Sequence, residues 1–519
     1  LSSTATSRRA LLRATGAAFL GASVGLPLLS GSAHAADPLP RLPLRQMRGM
    51  WIASVVNINW PSTTGLSPET QMAEYLAWLD VAQSRKLNAV FVQIRPTADA
   101  FWPSPFEPWS QYLTGVQGQD PGYDPLAFMI SAAHERGLAF HGWFNPYRVS
   151  MQADPAKLVP SHPGRIHPEW IVPYAGKLYY NPGLPEVRAF VQDAIMDAVS
   201  RYDLDGVHFD DYFYPYPVGT QVFNDDAAFA AHGEGWTDRA AWRRHNIDLL
   251  VTEMQARVRA AKPEVAWGVS PFGIWRNAAS DPLGSATAGT QSFDANHADT
   301  RRWVRDGLLD YIAPQLYWHI GLAVADYAAL APWWAGVADG TDVQLWIGQA
   351  GYKVALTGQP APWFDPAELS RHLTLNRGYP QIGGDIWYNA NDVRADRITS
   401  ISTVVADHYP HPALPPLLPR LAGGPRPHHP VITSARLTAD GVQLNFHATA
   451  HGVPRLYAVY RFSDSGRDFT DGRNLVAVLP GGRDGTWTDP DGTDAVTYHV
   501  TALDAAARES SPSPGRRPH

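Results

Sequence analysis

Eight short apolar runs recur between residues 49 and 388, each closing on a polar or aromatic cluster, and this rhythm constrains the fold most. The runs are 49–56, 89–95, 139–145, 206–211, 266–271, 311–317, 344–349 and 384–388. Helical patterns lie between them. Residues 70–85 carry Met72, Tyr75, Leu76 and Leu79 at helical spacing, and 125–136 end in a basic turn followed by Gly137. Residues 185–201 and 239–261 read the same way. Near-continuous apolar strands alternating with helices require a parallel sheet covered on its faces. Eight such units predict an α/β chain folded as a (β/α)8 TIM barrel with enlarged loops. A doubly wound sheet competes, but no glycine-rich phosphate turn follows any run.

The pattern changes towards the end of the chain. Residues 408–429 hold seven prolines, from Pro410 to Pro427, which predicts a semi-rigid linker. From Pro430 short alternating strands are expected at 442–446, 456–462, 475–479 and 497–502, making a small all-β sandwich. Its closing string, TYHVTALDAAARESSPS, resembles the last strands of fibronectin type III domains. At the other end, Ser7-Arg8-Arg9-Ala10-Leu11-Leu12-Arg13 resembles a twin-arginine export motif. A short apolar stretch and the small-residue pattern Ala33-His34-Ala35 follow it. The expected organisation is a signal peptide over 1–35, a barrel over 36–407, a linker over 408–429 and a sandwich over 430–519. The mature protein is expected to be soluble, periplasmic or extracellular, and free of the membrane.

Composition narrows the function. Net charge is −7 with no basic block, which excludes a nucleic-acid partner. The absence of cysteine rules out disulfides, thiol nucleophiles and cysteine metal sites. With 19 Trp and 21 Tyr against only 18% charged residues, the chain suits a groove where sugar rings stack on flat apolar faces.

In such a barrel the active site lies at the carboxyl ends of the strands. The fourth run ends in Asp205-Gly206-Val207-His208-Phe209-Asp210-Asp211-Tyr212. Two adjacent carboxylates closing an apolar strand must be paired or put to use. Alternation places His208 and Asp210 on one face and Phe209 and Asp211 on the other, so Asp210 is the preferred pocket carboxylate. The second run offers Arg95, to hold an acidic neighbour, and Asp99, which serves equally well as a loop cap. The third supplies His141, Trp143, Asn145, Tyr147 and Arg148 as donors and stacking surfaces. The remaining strand ends add Trp275, Gln315, Tyr317, Trp387 and Asn389, and Tyr212 follows the acidic pair. A ring of this kind suits a neutral polyhydroxylated ligand. Glycoside hydrolysis needs two carboxyl groups. Asp210 supplies one; Asp211, Asp99, Asp281 and Asp392 all remain open as the other.

The strings RGMWIASVVNINWP, NAVFVQIRPTADAFWPSPFEPWSQYLTG, HGWFNPYR, DGVHFDDYFYP, WGVSPFGIWRN, YIAPQLYW and GGDIWYN, in that order, resemble the glycosyl-hydrolase-like 10 family. The resemblance implies an exported glycan hydrolase acting on peptidoglycan strands that lack peptide stems. It further implies that Asp210, Asp211 and Asp99 lie in the pocket, with Asn145, Tyr147, Arg148 and Gln315 near the sugar. No cofactor or metal is expected. Two other readings stay in view. One is a metal-dependent hydrolase or deacetylase, although its usual His-x-His is missing from the first run. The other is a carbohydrate-binding protein without catalysis, in which paired carboxylates would have no purpose.

Overall fold

The computed structural model describes residues 41–449, 452–463 and 466–519; the expected export signal lies outside these residues. Eight parallel strands close into a barrel: β1 (Met47–Ile52), β2 (Ala89–Arg95), β3 (Ala139–Phe144), β4 (Gly206–Phe209), β5 (Ala266–Val269), β6 (Tyr311–Ile312), β7 (Gln344–Ala350) and β8 (Ile382–Tyr388). Each pairs with its neighbours in sequence, and β8 closes on β1 with Met50 beside Trp387. All residues of β1 and β2 are buried, as expected of strands covered inside by the barrel and outside by helices.

The four expected helices form at Pro68–Ser84, Pro125–His134, Pro185–Arg201 and Arg239–Ala261. Ser67, Asp124 and Asp238 cap three of them by accepting a backbone N–H, and proline opens the first three, where its missing N–H does no harm. Strands β4 and β6 are shorter than their apolar runs because the chain leaves the ladder early. Asp210 and Asp211 therefore stand beyond the last strand residue.

The barrel interior is aromatic. Tyr311 stacks on Trp346 at 4.1 Å and His141 on Phe91 at 4.3 Å. His208 is fully buried among them. Its Nε2 lies 3.0 Å from Trp51 Nε1 and 2.9 Å from Ser270 Oγ, and its Nδ1 3.0 Å from the Tyr311 hydroxyl.

The C-terminal region forms two three-stranded antiparallel sheets. The first holds β9 (Val431–Thr438), β10 (Gly441–His447) and β13 (Asp484–Asp489); the second holds β11 (Leu456–Phe462), β12 (Leu475–Pro480) and β14 (Thr497–Leu503). The expected strands recur here, joined by β9 and β13, which are too polar to stand out by alternation.

The proline-rich stretch does not cross open solvent as a linker would. Leu414 and Leu418 are buried, and Leu418 packs with Met47, Ala266 and Trp346 at the starts of barrel strands. Its carbonyls accept from the barrel: His411 O from Arg48 at 2.7 Å and Leu417 O from Gln344 at 2.7 Å. Proline fixes the backbone and removes donors, leaving carbonyls for exactly such cross-links, so the segment is a strap under the barrel.

Candidate active site

The opposite, carboxyl-terminal mouth opens into a cleft of about 690 Å³. Tyr317 and Tyr388 stack on one side at 5.9 Å, and Phe272 meets Trp318 edge-on at 5.4 Å on another. Trp51, Trp143, Tyr212, Tyr216 and Tyr352 complete its aromatic surface, with Gln93, Ser270 and Gln315 as neutral polar groups.

Asp210 and Asp211 are the carboxylates lining this cleft among the described residues. Asp210 is 7% exposed. Its Oδ2 accepts from Asn145 Nδ2 at 2.6 Å and from the Trp143 indole N–H at 3.2 Å, while its Oδ1 is buried without a hydrogen-bond partner. Burial first, then the like charge of Asp211, push the Asp210 carboxyl up to about 7, against the pull of Arg148, Asn145 and Trp143. Asp211 is less enclosed and accepts from the Tyr216 hydroxyl at 2.5 Å. Burial raises its carboxyl too, with the Tyr216 bond opposing. Two close carboxyls raised in this way share protons as a pair.

A second layer holds the pair in place. Asn145 is fully buried; its Oδ1 accepts from Gln93 Nε2 at 2.6 Å and Arg148 Nη2 at 3.2 Å, which fixes its amide N–H on Asp210. Arg148 also donates to Pro96 O at 2.9 Å and to the Tyr212 hydroxyl. Behind them Arg95 is fully buried against Glu107, with Nε 2.7 Å from Oε2, and donates to the carbonyls of Asn145 and Pro146. Arg95 thus meets its acidic neighbour, but Glu107 rather than a cleft aspartate, and it braces the loop that carries Asn145.

Of the residues singled out in the sequence, Asp210, Asp211, Trp143, Arg148, Tyr212, Gln315 and Tyr317 line the cleft. Others do not. Asp99 is fully buried away from it, accepting from Thr97 N and Oγ1, both at 3.0 Å; it is the loop cap. Burial raises its carboxyl to about 6. His141 sits one layer deeper than Trp143 and borders a small cavity at the strap end of the barrel. His208 is consumed by the interior network. Tyr147 is packed in the core, and Trp275 stacks on Trp333 while donating to Asp299 at 2.9 Å. Trp387 points into the core because side chains alternate along β8; its neighbour Tyr388 faces the cleft instead. Asn389 caps the helix Ala390–Ala395 and accepts from Asn59 at 2.9 Å. Asp281 and Asp392 are paired outside the cleft, with Arg276 at 3.0 Å and Arg397 at 2.7 Å.

Sequence reasoning missed Tyr216 and Lys353 as lining groups. Lys353 brings an ammonium into the cleft; Nζ donates to Tyr317 O at 2.6 Å, and burial lowers its pKa. Among the described residues no three His, Asp or Glu side chains converge as metal ligands would.

Residues 46–365 match the family model described as glycosyl hydrolase-like 10. The chain is 44% identical to glycosyl hydrolase YngK of Bacillus subtilis over 479 residues, covering 90% of this chain and 92% of that protein. It is 41% identical to glycosyl hydrolase DigH of Escherichia coli K12 over 362 residues, covering 66% and 82%. Among solved structures, the PgaB (BpsB) glycoside hydrolase domain of Bordetella bronchiseptica aligns at TM-score 0.46 and 13% identity, covering 70% of this chain and 99% of that one.

Proposed function

This chain belongs to the glycosyl hydrolase-like 10 family and is a glycoside hydrolase, and we propose that its substrate is peptidoglycan glycan from which the peptide stems have been removed. The observation that carries this reading is the adjacent pair Asp210–Asp211 in an aromatic cleft, held by Asn145 and Trp143 and raised by burial. A carboxyl raised towards neutrality retains a proton to give to a leaving oxygen. The flat faces of Tyr317, Tyr388, Trp318 and Phe272 suit pyranose rings, and Gln93 and Gln315 suit their hydroxyls.

Stem removal leaves a lactyl carboxylate on alternate sugars, and Lys353 supplies a cation for it. Its ammonium spends one donor on Tyr317 O and has two left. An intact stem would replace that anion with an amide. The enzyme works outside the cytoplasm, where such strands are found, in keeping with the twin-arginine motif over 7–13.

Incubating the protein with amidase-treated and with untreated peptidoglycan, followed by mass spectrometry of soluble fragments, tests this reading. Saccharide fragments should come from the treated material alone. Equal release from both would remove the stem-free specificity, and release from neither would remove the substrate.

A further inference from the structure

Retaining and inverting hydrolases that supply both reacting carboxyls place them on opposite sides of the sugar, about 5–10 Å apart. Asp210 and Asp211 are consecutive residues that leave the end of one strand, β4, so both reach a bound sugar from the same wall of the cleft rather than from opposite sides. The other cleft walls carry no carboxylate among the described residues, since Asp99, Asp281 and Asp392 are bonded elsewhere. An acid is therefore present without a facing nucleophile or base.

We infer that the nucleophile is carried by the substrate: Asp210 and Asp211 act on a β-linked 2-acetamido-2-deoxy sugar whose own acetamido oxygen attacks C1. The inference rests on the glycan reading above and narrows it to the sugar bound at the scissile bond. The surroundings assign different tasks to the two aspartates. Asp210 is the deeper, with Oδ2 pinned by two N–H donors and Oδ1 left without a partner. That free oxygen accepts the acetamido N–H, orienting the group and favouring the ionised form of Asp210. Repulsion between the neighbours then leaves the proton on Asp211, which is nearer the open cleft and anchored by Tyr216.

In the first step the acetamido oxygen bonds to C1, the glycosidic C1–O bond breaks, and its oxygen takes the Asp211 proton. The resulting oxazolinium keeps its N–H on Asp210. In the second step water adds to C1 and gives a proton to Asp211, and the C1–O bond to the acetamido oxygen breaks. The amide is restored, Asp211 is protonated again, and one water has been consumed with configuration at C1 retained.

The test uses stem-free strands that are N-deacetylated and then re-acylated with acetyl or trifluoroacetyl groups, with reducing-end release as the readout. Trifluoroacetyl weakens the attacking oxygen, so kcat should fall about 100-fold or more while KM stays within about threefold. Proton NMR of the first products should show the β anomer. Equal kcat for the two acyl forms, or an inverted product, overturns the inference and leaves the substrate reading standing. Failure to cut even the acetylated strands removes that reading, and the inference with it. Among variants, Asp211→Asn should recover on oligosaccharides with a 4-nitrophenol leaving group, which needs no proton, and Asp210→Asn should not. The reverse pattern overturns the assignment of the two aspartates.

Discussion

Asp205 and Asp210 flank the same four-residue strand, β4, one before its first residue and one after its last. Burial works to raise both carboxyls, yet they end in opposite states. At Asp205 burial is overcome by the hydrogen bond and charge of His134, at 2.8 Å, by Arg455, and by the Phe140 N–H at 2.7 Å, so its carboxyl is held below the usual range. At Asp210 the strongest charge effect comes from another carboxylate, and one oxygen lacks any partner. The strap end of the barrel satisfies its charges; the cleft end leaves them poised. In barrels of this class, stability is built at one face and chemistry at the other.

Three variants, one of them measured in two ways, would break or sharpen that contrast. The largest effect is expected from Asp210→Asn, with kcat on stem-free glycan down about 1,000-fold and affinity for the glycan largely kept. Rates near wild type would take Asp210 out of the mechanism. Next is Asp205→Asn, which removes the carboxylate that His134 and the Phe140 N–H share and should lower stability by about 2–3 kcal/mol. Urea unfolding at pH 7 would measure this, with kcat of the folded enzyme unchanged. Because the folded-state pKa of Asp205 is lowered, its contribution is full above the unfolded value of about 3.9 and vanishes as pH falls through the folded value. The deficit of the variant should shrink on acidification.

A smaller effect is expected at the cleft cation. Lys353→Met should raise KM about tenfold on strands bearing free lactyl carboxylates and leave chitin oligosaccharides, which lack that group, unaffected. Loss on both would mean that Lys353 serves the cleft wall rather than an anion. The smallest effect inverts the first. Asp210 has a raised folded-state pKa, so it favours folding when protonated and withdraws that support as pH rises from about 3.9 to about 7. Asp210→Asn should therefore be more stable than wild type at pH 8, by about 1 kcal/mol in thermal unfolding, with the advantage fading towards pH 4. A variant no more stable than wild type at any pH would show that the site stores no such strain.

The barrel was legible because its strands are buried on both faces and stand out as unbroken apolar runs; β2 begins and ends at the residues expected. The polar edge strands β9 and β13 gave no such signal. The acidic pair was legible for the opposite reason, two charges where packing has no use for them. What the runs could not convey was depth. His141 and Trp143 share a face of β3, but only the outer one reaches the cleft. Trp387 and Tyr388 are adjacent and equally aromatic, and only the ladder register decides which of them meets the cleft. Glu107 lies twelve residues beyond Arg95 in a loop, and no local pattern ties the two together. Asp99 illustrates the converse, since a strand-end aspartate satisfied two residues away by Thr97 is already spent.

The strap also bears on how the molecule can be divided. Arg420 reaches Asp310 at 2.7 Å and Val265 O at 3.1 Å, and Arg455, from β11's approach, clasps Asp203 at 2.7 Å. Leu418 and Leu456 cover Met47, Ala139 and Ala266 around a void of only about 70 Å³. Trimming the chain to its catalytic half would strip the lid from this underside and bare a greasy disc the width of the barrel. Such a fragment is expected to clump before its chemistry can be assayed, and the C-terminal sheets are in this sense the plinth on which the enzyme stands.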